Sequence, residues 1–452
     1  MLSGLGAQEV GLLPIPARGR RPPGPDIDLR NSTRPTRQRR LWRRLGPGLV
    51  TGASNDDPSS IGTYAQVGAE FGYAFAWTLL FTYPLLVAIQ EISARVGRVT
   101  GCGIAGNLRR HFPCWLAVSL VGSFALANII NLAADLNAMG AVLRMVIGGA
   151  ALLHICLLSL LSLIFQVLVS HVHYARTLRF LCLSLLSYVV CAFAAGVPWM
   201  DVGRALLWLP FSGRHEYTVA LVAALGTTIS PYLIFWQAQQ EVERGRCATG
   251  TCVVLRSAGE GASEFRRIRV DTLIGFGLSS VVALFIVITA ANSLHAHGAN
   301  TIQSVAEAAE ALRAVAGRFT FLVFALGVVG TGLLALPALS TSAAYAVGEL
   351  LSWRVGQTHP ARRAGYFHGA VAAATATACA LSCASINPMR ALYWSAVLNG
   401  VVAVPLMIAL MRLSGSAVMG AMVPRRGLRV LGWLAILAMA CGVFAMTTTW
   451  LA

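Results

Sequence analysis

Apolar residues in this chain gather into long runs, and polar residues gather between them. Eleven runs approach membrane length: residues 48–69, 74–94, 114–140, 146–169, 178–196, 218–240, 271–294, 319–350, 366–384, 388–411 and 429–451. A helix rises about 1.5 Å per residue, so roughly 20 apolar residues cross a hydrocarbon core of about 30 Å. The pattern predicts an all-α polytopic membrane protein with eleven spans.

Two runs are interrupted at their middles. The first carries Asp56, Asp57 and Pro58 between flanking apolar residues, and the sixth carries Thr227, Thr228, Ser230 and Pro231. A proline inside a span removes a backbone donor and leaves carbonyls without helical partners, and a carboxylate at membrane depth is costly. Such segments persist where they line a cavity or bind a cation. The competing reading is that the two aspartates cap a helix at the membrane surface, since acids favour helix starts. For Pro231 it is a tolerated kink. Breaks in spans one and six, five spans apart, predict two inverted five-helix repeats, about 46–196 and 218–412, with an eleventh helix in the 413–452 segment.

The polar groups expected at this centre come from three spans. Span one offers Asp56, Asp57, Ser59 and Ser60, and span six offers Thr227, Thr228, Ser230 and Tyr232. Span three adds Asn128, Asn131 and Asp135, at spacings of three and four that share one helix face. Asn399 in span ten could supply one more oxygen, or serve as a packing amide. Oxygen ligands of this kind suit hard or borderline divalent ions, one or two carboxylates with carbonyls and water suiting Mg²⁺ or Mn²⁺. Asp135 suggests a proton or cation route, against the alternative of a salt bridge to a neighbouring arginine.

Composition agrees with the pattern. Of 452 residues 56% are hydrophobic and only 12% charged, too little polar surface for a soluble protein of this length. The net charge of +17 comes from 35 basic residues, all arginine. Ten lie in residues 1–45, which read as a disordered basic arm that touches anionic lipid rather than nucleic acid. With the N-terminus cytoplasmic, nineteen more fall in loops on that side and six on the other. This asymmetry predicts an N-inside, C-outside integral membrane protein, with the charge acting mainly as an anchor. Ten cysteines lie mostly in apolar segments; neither Cys247 with Cys252 nor Cys379 with Cys383 has a second pair at zinc spacing. Glu241 and Glu243, followed by Arg244 and Arg246, read as a solvated helix end.

The motifs resemble the NRAMP family of divalent-metal transporters, which have a LeuT-type fold. In that family the first helix carries Asp-Pro-Gly-Asn and then Gly-Ala-x-Phe-Gly-Tyr. Here Asp57-Pro58-Ser59-Ser60 is followed at the same spacing by Gly68-Ala69-Glu70-Phe71-Gly72-Tyr73. The end of span two, Gln90 to Gly101, also matches, and Ala134-Asp135-Leu136 is similar to the family's Thr-Asp-Leu. The resemblance implies a bacterial inner-membrane secondary transporter, with no resident cofactor. It would move a divalent cation of the Mn²⁺, Fe²⁺ or Mg²⁺ class by alternating access. Asp57, Asp56, Ser60, Thr227 and Ser230 are then the expected metal ligands, with the helix breaks at Pro58 and Pro231. Asp135, Asn131, Tyr232 and Asn399 are the expected proton or gating route.

Three departures bear on that expectation. Ser60 replaces the family's ligand Asn, Ser230-Pro231-Tyr232 replaces Met-Pro-His, and Asp56 is an additional acid. Losing a thioether favours a harder ion, and losing the histidine removes a proton relay. An uncoupled Mg²⁺ carrier and an organic-cation carrier on the same fold are therefore the alternatives within transport. A metal sensor is a third. A membrane enzyme is disfavoured, because His111, His154, His171, His173 and His215 form no HExxH or similar pattern.

Overall fold

The computed structural model describes residues 51–52, 54–168, 189–190, 192–193, 196–207, 214–249, 258–297, 305–353, 355–356, 364–383 and 387–451. The basic arm, most of the expected fifth span, His171, His173 and Cys252 lie outside them. In chain order the principal helices are α1 (Pro58–Phe71), α2 (Ala76–Thr100), α3 (Ile104–His111), α4 (Cys114–Ile147) and α5 (Ala151–Leu168). They continue as α6 (Trp199–Leu207), α7 (His215–Thr228), α8 (Pro231–Thr249), α9 (Ala258–Ser293) and α10 (Val305–Leu350). The last are α11 (Gly365–Ser382), α12 (Pro388–Leu413) and α13 (Arg426–Leu451). Every regular element among the described residues is helical.

Seven helical stretches among these residues are long and apolar enough to cross a membrane. The first runs from Pro58 to Thr100 and joins expected spans one and two, because only a short 3-10 turn, Gly72–Phe75, separates α1 from α2. The fourth expected span appears as a shorter apolar helix over Ala151–Gln166. The predicted interruption of span six is present: α7 stops at Thr228 and α8 starts at Pro231.

α1 packs on α7, α9 and α12, so the first break is enclosed by helices. α4 packs against α10 and α12, and α2 against α8, α9 and α13. Lipid offers no hydrophobic drive between helices, so close approach depends on small residues. Gly226 is the tightest such point at the centre. A Cβ there would stand 2.2 Å from the Ala396 carbonyl oxygen and 2.5 Å from the Gly400 nitrogen. Elsewhere larger side chains make the contact, as where Phe124 of α4 stacks on Phe235 of α8 with ring centroids 3.9 Å apart.

At the end of the bundle where α2 finishes, polar contacts join separate helices. α3 has no side-chain cap of its own. Glu349 of α10 supplies one, accepting from the backbone N–H of Gly103 at 2.8 Å and of Gly106 at 2.9 Å. Arg267 of α9 pairs with Glu241 of α8, and Glu264 pairs with Arg267 at 3.1 Å and with Arg98 of α2 at 3.4 Å. Glu241 and Glu243 are therefore not a solvated helix end: both are buried, Glu241 against a guanidinium and Glu243 near the Tyr345 hydroxyl. At the opposite end, His295 Nδ1 meets the Ala69 carbonyl at 2.9 Å, and Phe71, Phe75 and Tyr217 pack their rings together.

Candidate metal centre at two helix breaks

Asp57 caps α1, and Pro58 takes the first helical position, where no backbone donor is needed. Both readings of the sequence meet here, since Asp57 is a helix cap and is also buried at the centre of the bundle. Its Oδ1 receives the Ser60 N–H and the Ser59 hydroxyl, each at 2.7 Å, and Ser60 Oγ stands equally close. Its Oδ2 has longer contacts, to Asn131 Nδ2 at 3.2 Å and the Tyr232 hydroxyl at 3.3 Å. Every group in this shell is neutral, and none of the ion pairs found among the described residues involves Asp57.

The second break faces the first. Thr227 Oγ1 donates to Ser60 Oγ at 2.7 Å, the Tyr64 and Thr228 hydroxyls bond at 2.8 Å, and the Tyr232 hydroxyl reaches the Ser54 carbonyl. Ser230 turns back on its own helix end. Its hydroxyl lies 3.1 Å from the Gly226 carbonyl and 2.8 Å from that of Thr227, two carbonyls in the last turn of α7, the second of which Pro231 leaves without a helical donor. The Ser230 hydrogen is thus spent on backbone, and only its lone pairs remain to meet a cation.

The three acids have different surroundings. Asp135 Oδ1 accepts the Ser59 N–H at 2.9 Å, while its Oδ2 is buried with no hydrogen-bond partner. Asp56 faces away toward α9, where its Oδ1 accepts from Ser279 Oγ at 2.9 Å, and its Oδ2 also lacks a partner. Asn55 Nδ2 donates to the same Ser279 hydroxyl. Asn399 of α12 donates to Asn131 Oδ1 at 3.2 Å, which extends the Asp57 shell to a fourth span. Asn128 points elsewhere, donating to Leu339 O and Ser342 Oγ of α10.

Of the residues expected from the sequence, Ser59, Ser60, Asn131 and Tyr232 contact Asp57, and Thr227, Asp135 and Asn399 join it through Ser60, Ser59 and Asn131. Ser230 and Thr228 bond elsewhere in the second break, and Asp56 and Asn128 point away. Asp56 belongs to an adjoining cluster with Asn55 and Ser279, and no sequence reading singled out Ser279. Its signal was slight: a Ser-Ser pair at 279–280 inside an apolar run. Among the described residues no group of three or more His, Cys, Asp or Glu side chains forms a metal-ligand cluster. A cation here would rest on one carboxylate and neutral oxygens.

Two broken spans that meet at a buried carboxylate, inside a bundle of membrane helices, define a transporter of the LeuT-type fold. The chain belongs to the Nramp family, described as natural resistance-associated macrophage protein-like, which it matches over residues 48–449. It is 25% identical over 311 residues to a protein named divalent metal cation transporter MntH from Yersinia enterocolitica, covering 67% of this chain and 71% of that one. A protein of the same name from Pectobacterium carotovorum is 24% identical over 298 residues, with coverage of 64% and 68%. A manganese transporter from Eremococcus coleocola superposes with a TM-score of 0.70 at 17% identity, covering 90% of this chain and 88% of that one. MhsT bound to L-phenylalanine superposes at 0.62 with 13% identity, covering 89% and 98%. At these identities the superpositions establish the fold. Members of the family are transporters, not enzymes.

Proposed function

We propose that this protein carries divalent metal cations across the membrane by alternating access, with Asp57 as the principal ligand. One observation carries the reading: Asp57 is buried at a helix break and ringed only by neutral donors. A carboxylate in that setting favours a cation that arrives without its own counter-charge. Asp57 Oδ2, with the two longer contacts, is the oxygen an ion takes first. Ser60 Oγ, Thr227 and the lone pairs of Ser230 complete the first coordination, and Asp56 supports the site from the Ser279 side. The MntH name borne by its relatives, a divalent metal cation transporter, supports the substrate class.

The ion is of the harder kind, Mg²⁺ or Mn²⁺, because every available donor is oxygen. Asp135, with one oxygen unpartnered, is the proton site. Asn131, Tyr232 and Asn399 form the hydrogen-bonded surroundings through which its charge is felt at Asp57. Because Asp57 is buried, loading requires one end to open, and the contacts of Glu349 and Arg267 are the ones to break on the side where α2 ends. Arginine asymmetry supports a cytoplasmic position for that side, with the N-terminus inside and the C-terminus outside, and the bacterial MntH relatives support an inner-membrane location.

The test is metal flux into proteoliposomes, comparing Mn²⁺ with Mg²⁺ in the presence and absence of a pH gradient. Mn²⁺ uptake that also acidifies the lumen supports a proton-coupled carrier. Mg²⁺ uptake without proton movement assigns an uncoupled hard-cation carrier, and no flux of either ion removes the proposal.

A further inference from the structure

Beside α2, on the same end of the bundle as Glu349, lies a cavity of about 440 Å³ that the transport site does not use. Its walls come from the end of α2, the start of α9 and the segment between α12 and α13, with Arg95, Arg266, Arg269 and Arg425 among the lining residues. No acid lines it. Arg95 is buried, with Glu91 on one side and the Phe265 ring 4.5 Å from its guanidinium carbon, and its Nε has no hydrogen-bond partner. Arg266, Arg269 and Arg425 are exposed and make no ion pair among the described residues. Phe265, Met422 and Val423 give the same cavity an apolar side.

Four guanidinium groups at one cavity wall, three of them without an ion pair among the described residues, are the chemistry that binds phosphate, through paired N–H donors and charge. A free phosphate and a lipid headgroup both fit that description. The surroundings favour the lipid. α9 runs from Arg266 and Arg269 directly into the exposed apolar residues Val270 and Ile274, and α13 runs from Arg425 into exposed Val430, Trp433 and Leu437. Both helices pack on α2. The arginines thus stand at the boundary where apolar helix surface gives way to polar surface, the level of phospholipid headgroups. A soluble anion has no use for the apolar surface beneath.

We propose that this cavity binds the phosphodiester headgroup of an anionic phospholipid, with its acyl chains against α9 and α13. The bound lipid bridges α2, α9 and the segment ahead of α13. This assignment is independent of which ion is carried.

Native mass spectrometry of the full chain in mild detergent tests it, with phosphatidylglycerol and phosphatidylcholine as probes. Phosphatidylglycerol should remain bound at lipid concentrations at least about ten-fold below those needed for phosphatidylcholine, given about 1 kcal/mol for each arginine near a lipid surface. The R266Q/R269Q/R425Q variant should bring the two lipids to within about two-fold of each other. A control with equal charge loss, R109Q/R412Q/R426Q, should keep the preference, and unchanged melting temperatures certify both variants as folded. Equal retention of the two lipids overturns the proposal. So does loss of preference in the control, which would mean diffuse attraction. Displacement of phosphatidylglycerol by an equal concentration of inorganic phosphate would assign the cavity to a soluble anion and also overturn it.

Discussion

Asp57 and Asp135 are held by one residue, for Ser59 gives its hydroxyl to the first and its backbone N–H to the second. Ser59 lies in the first turn of α1, where backbone donors have no helical acceptor. The helix start therefore fixes the distance between the two carboxylates, and a change of charge on one is felt by the other through a rigid link. Asp57→Ala should abolish metal flux while leaving the protein folded, because it deletes a buried charge that no cationic side chain balances. Flux assays paired with a melting curve check this, and wild-type transport by the variant would end the assignment of Asp57.

Ser59→Ala separates the two bonds. It removes the hydroxyl donor to Asp57 and keeps the backbone donor to Asp135. A lost hydrogen bond of this type is worth about 1 kcal/mol. The expected result is a change of roughly five-fold in metal affinity, with the response to a pH gradient retained. An equal loss of both would place Ser59 outside the link.

Asp135→Asn keeps an acceptor for the Ser59 N–H and removes a titratable oxygen. Metal binding should stay within about three-fold of wild type, since the Asp57 shell is intact, while metal-driven proton movement disappears. Isothermal titration with Mn²⁺ and a lumenal pH dye read the two quantities separately. Loss of binding with proton movement intact would reverse the roles.

Ser230→Met releases the carbonyls of Gly226 and Thr227 from the serine hydroxyl and brings in a thioether. Cd²⁺ should then compete more strongly against Mg²⁺, by about ten-fold for a soft ligand added to an oxygen site. Unchanged competition would mean that position 230 does not reach the ion.

Gly226→Ala tests the packing that holds the second break in place. The added carbon meets the α12 backbone at Ala396 and Gly400, neither of which can turn aside. Overpacking of this kind costs about 1–3 kcal/mol, and here it should lower the melting temperature and the transport rate together. A stable variant with normal flux would show that α7 and α12 separate easily.

Much of this arrangement was legible in the chain. Prolines inside apolar runs marked both breaks, and the three- and four-residue spacing of Asn128, Asn131 and Asp135 placed them on one helix. What spacing could not give was direction. Asp56 and Asp57 are neighbours, yet the turn ahead of α1 sends one toward Ser279 and the other toward Asn131. Ser230 was visible as a polar residue, but whether its hydroxyl faced an ion or its own helix depended on which carbonyls Pro231 left open. Glu241 resembled a surface acid because its partner, Arg267, lies in another helix 26 residues away. Long-range pairing of that sort has no local signature.

Glu349 has a consequence for timing as well as for shape. The first turn of α3 is capped by a carboxylate from the last turn of α10, so under the alternating access proposed above the two helices would part before this end of the bundle admits water. Hydrogen bonds from amides to a charged acceptor are worth about 1.5–3 kcal/mol each. Under that proposal, two of them would favour the sealed form over the open one by a factor of a hundred or more, on the order of 3 kcal/mol. An empty protein would rest mostly shut on this side, and ion arrival would have to supply the difference. Such a latch makes leakage rare at the expense of speed.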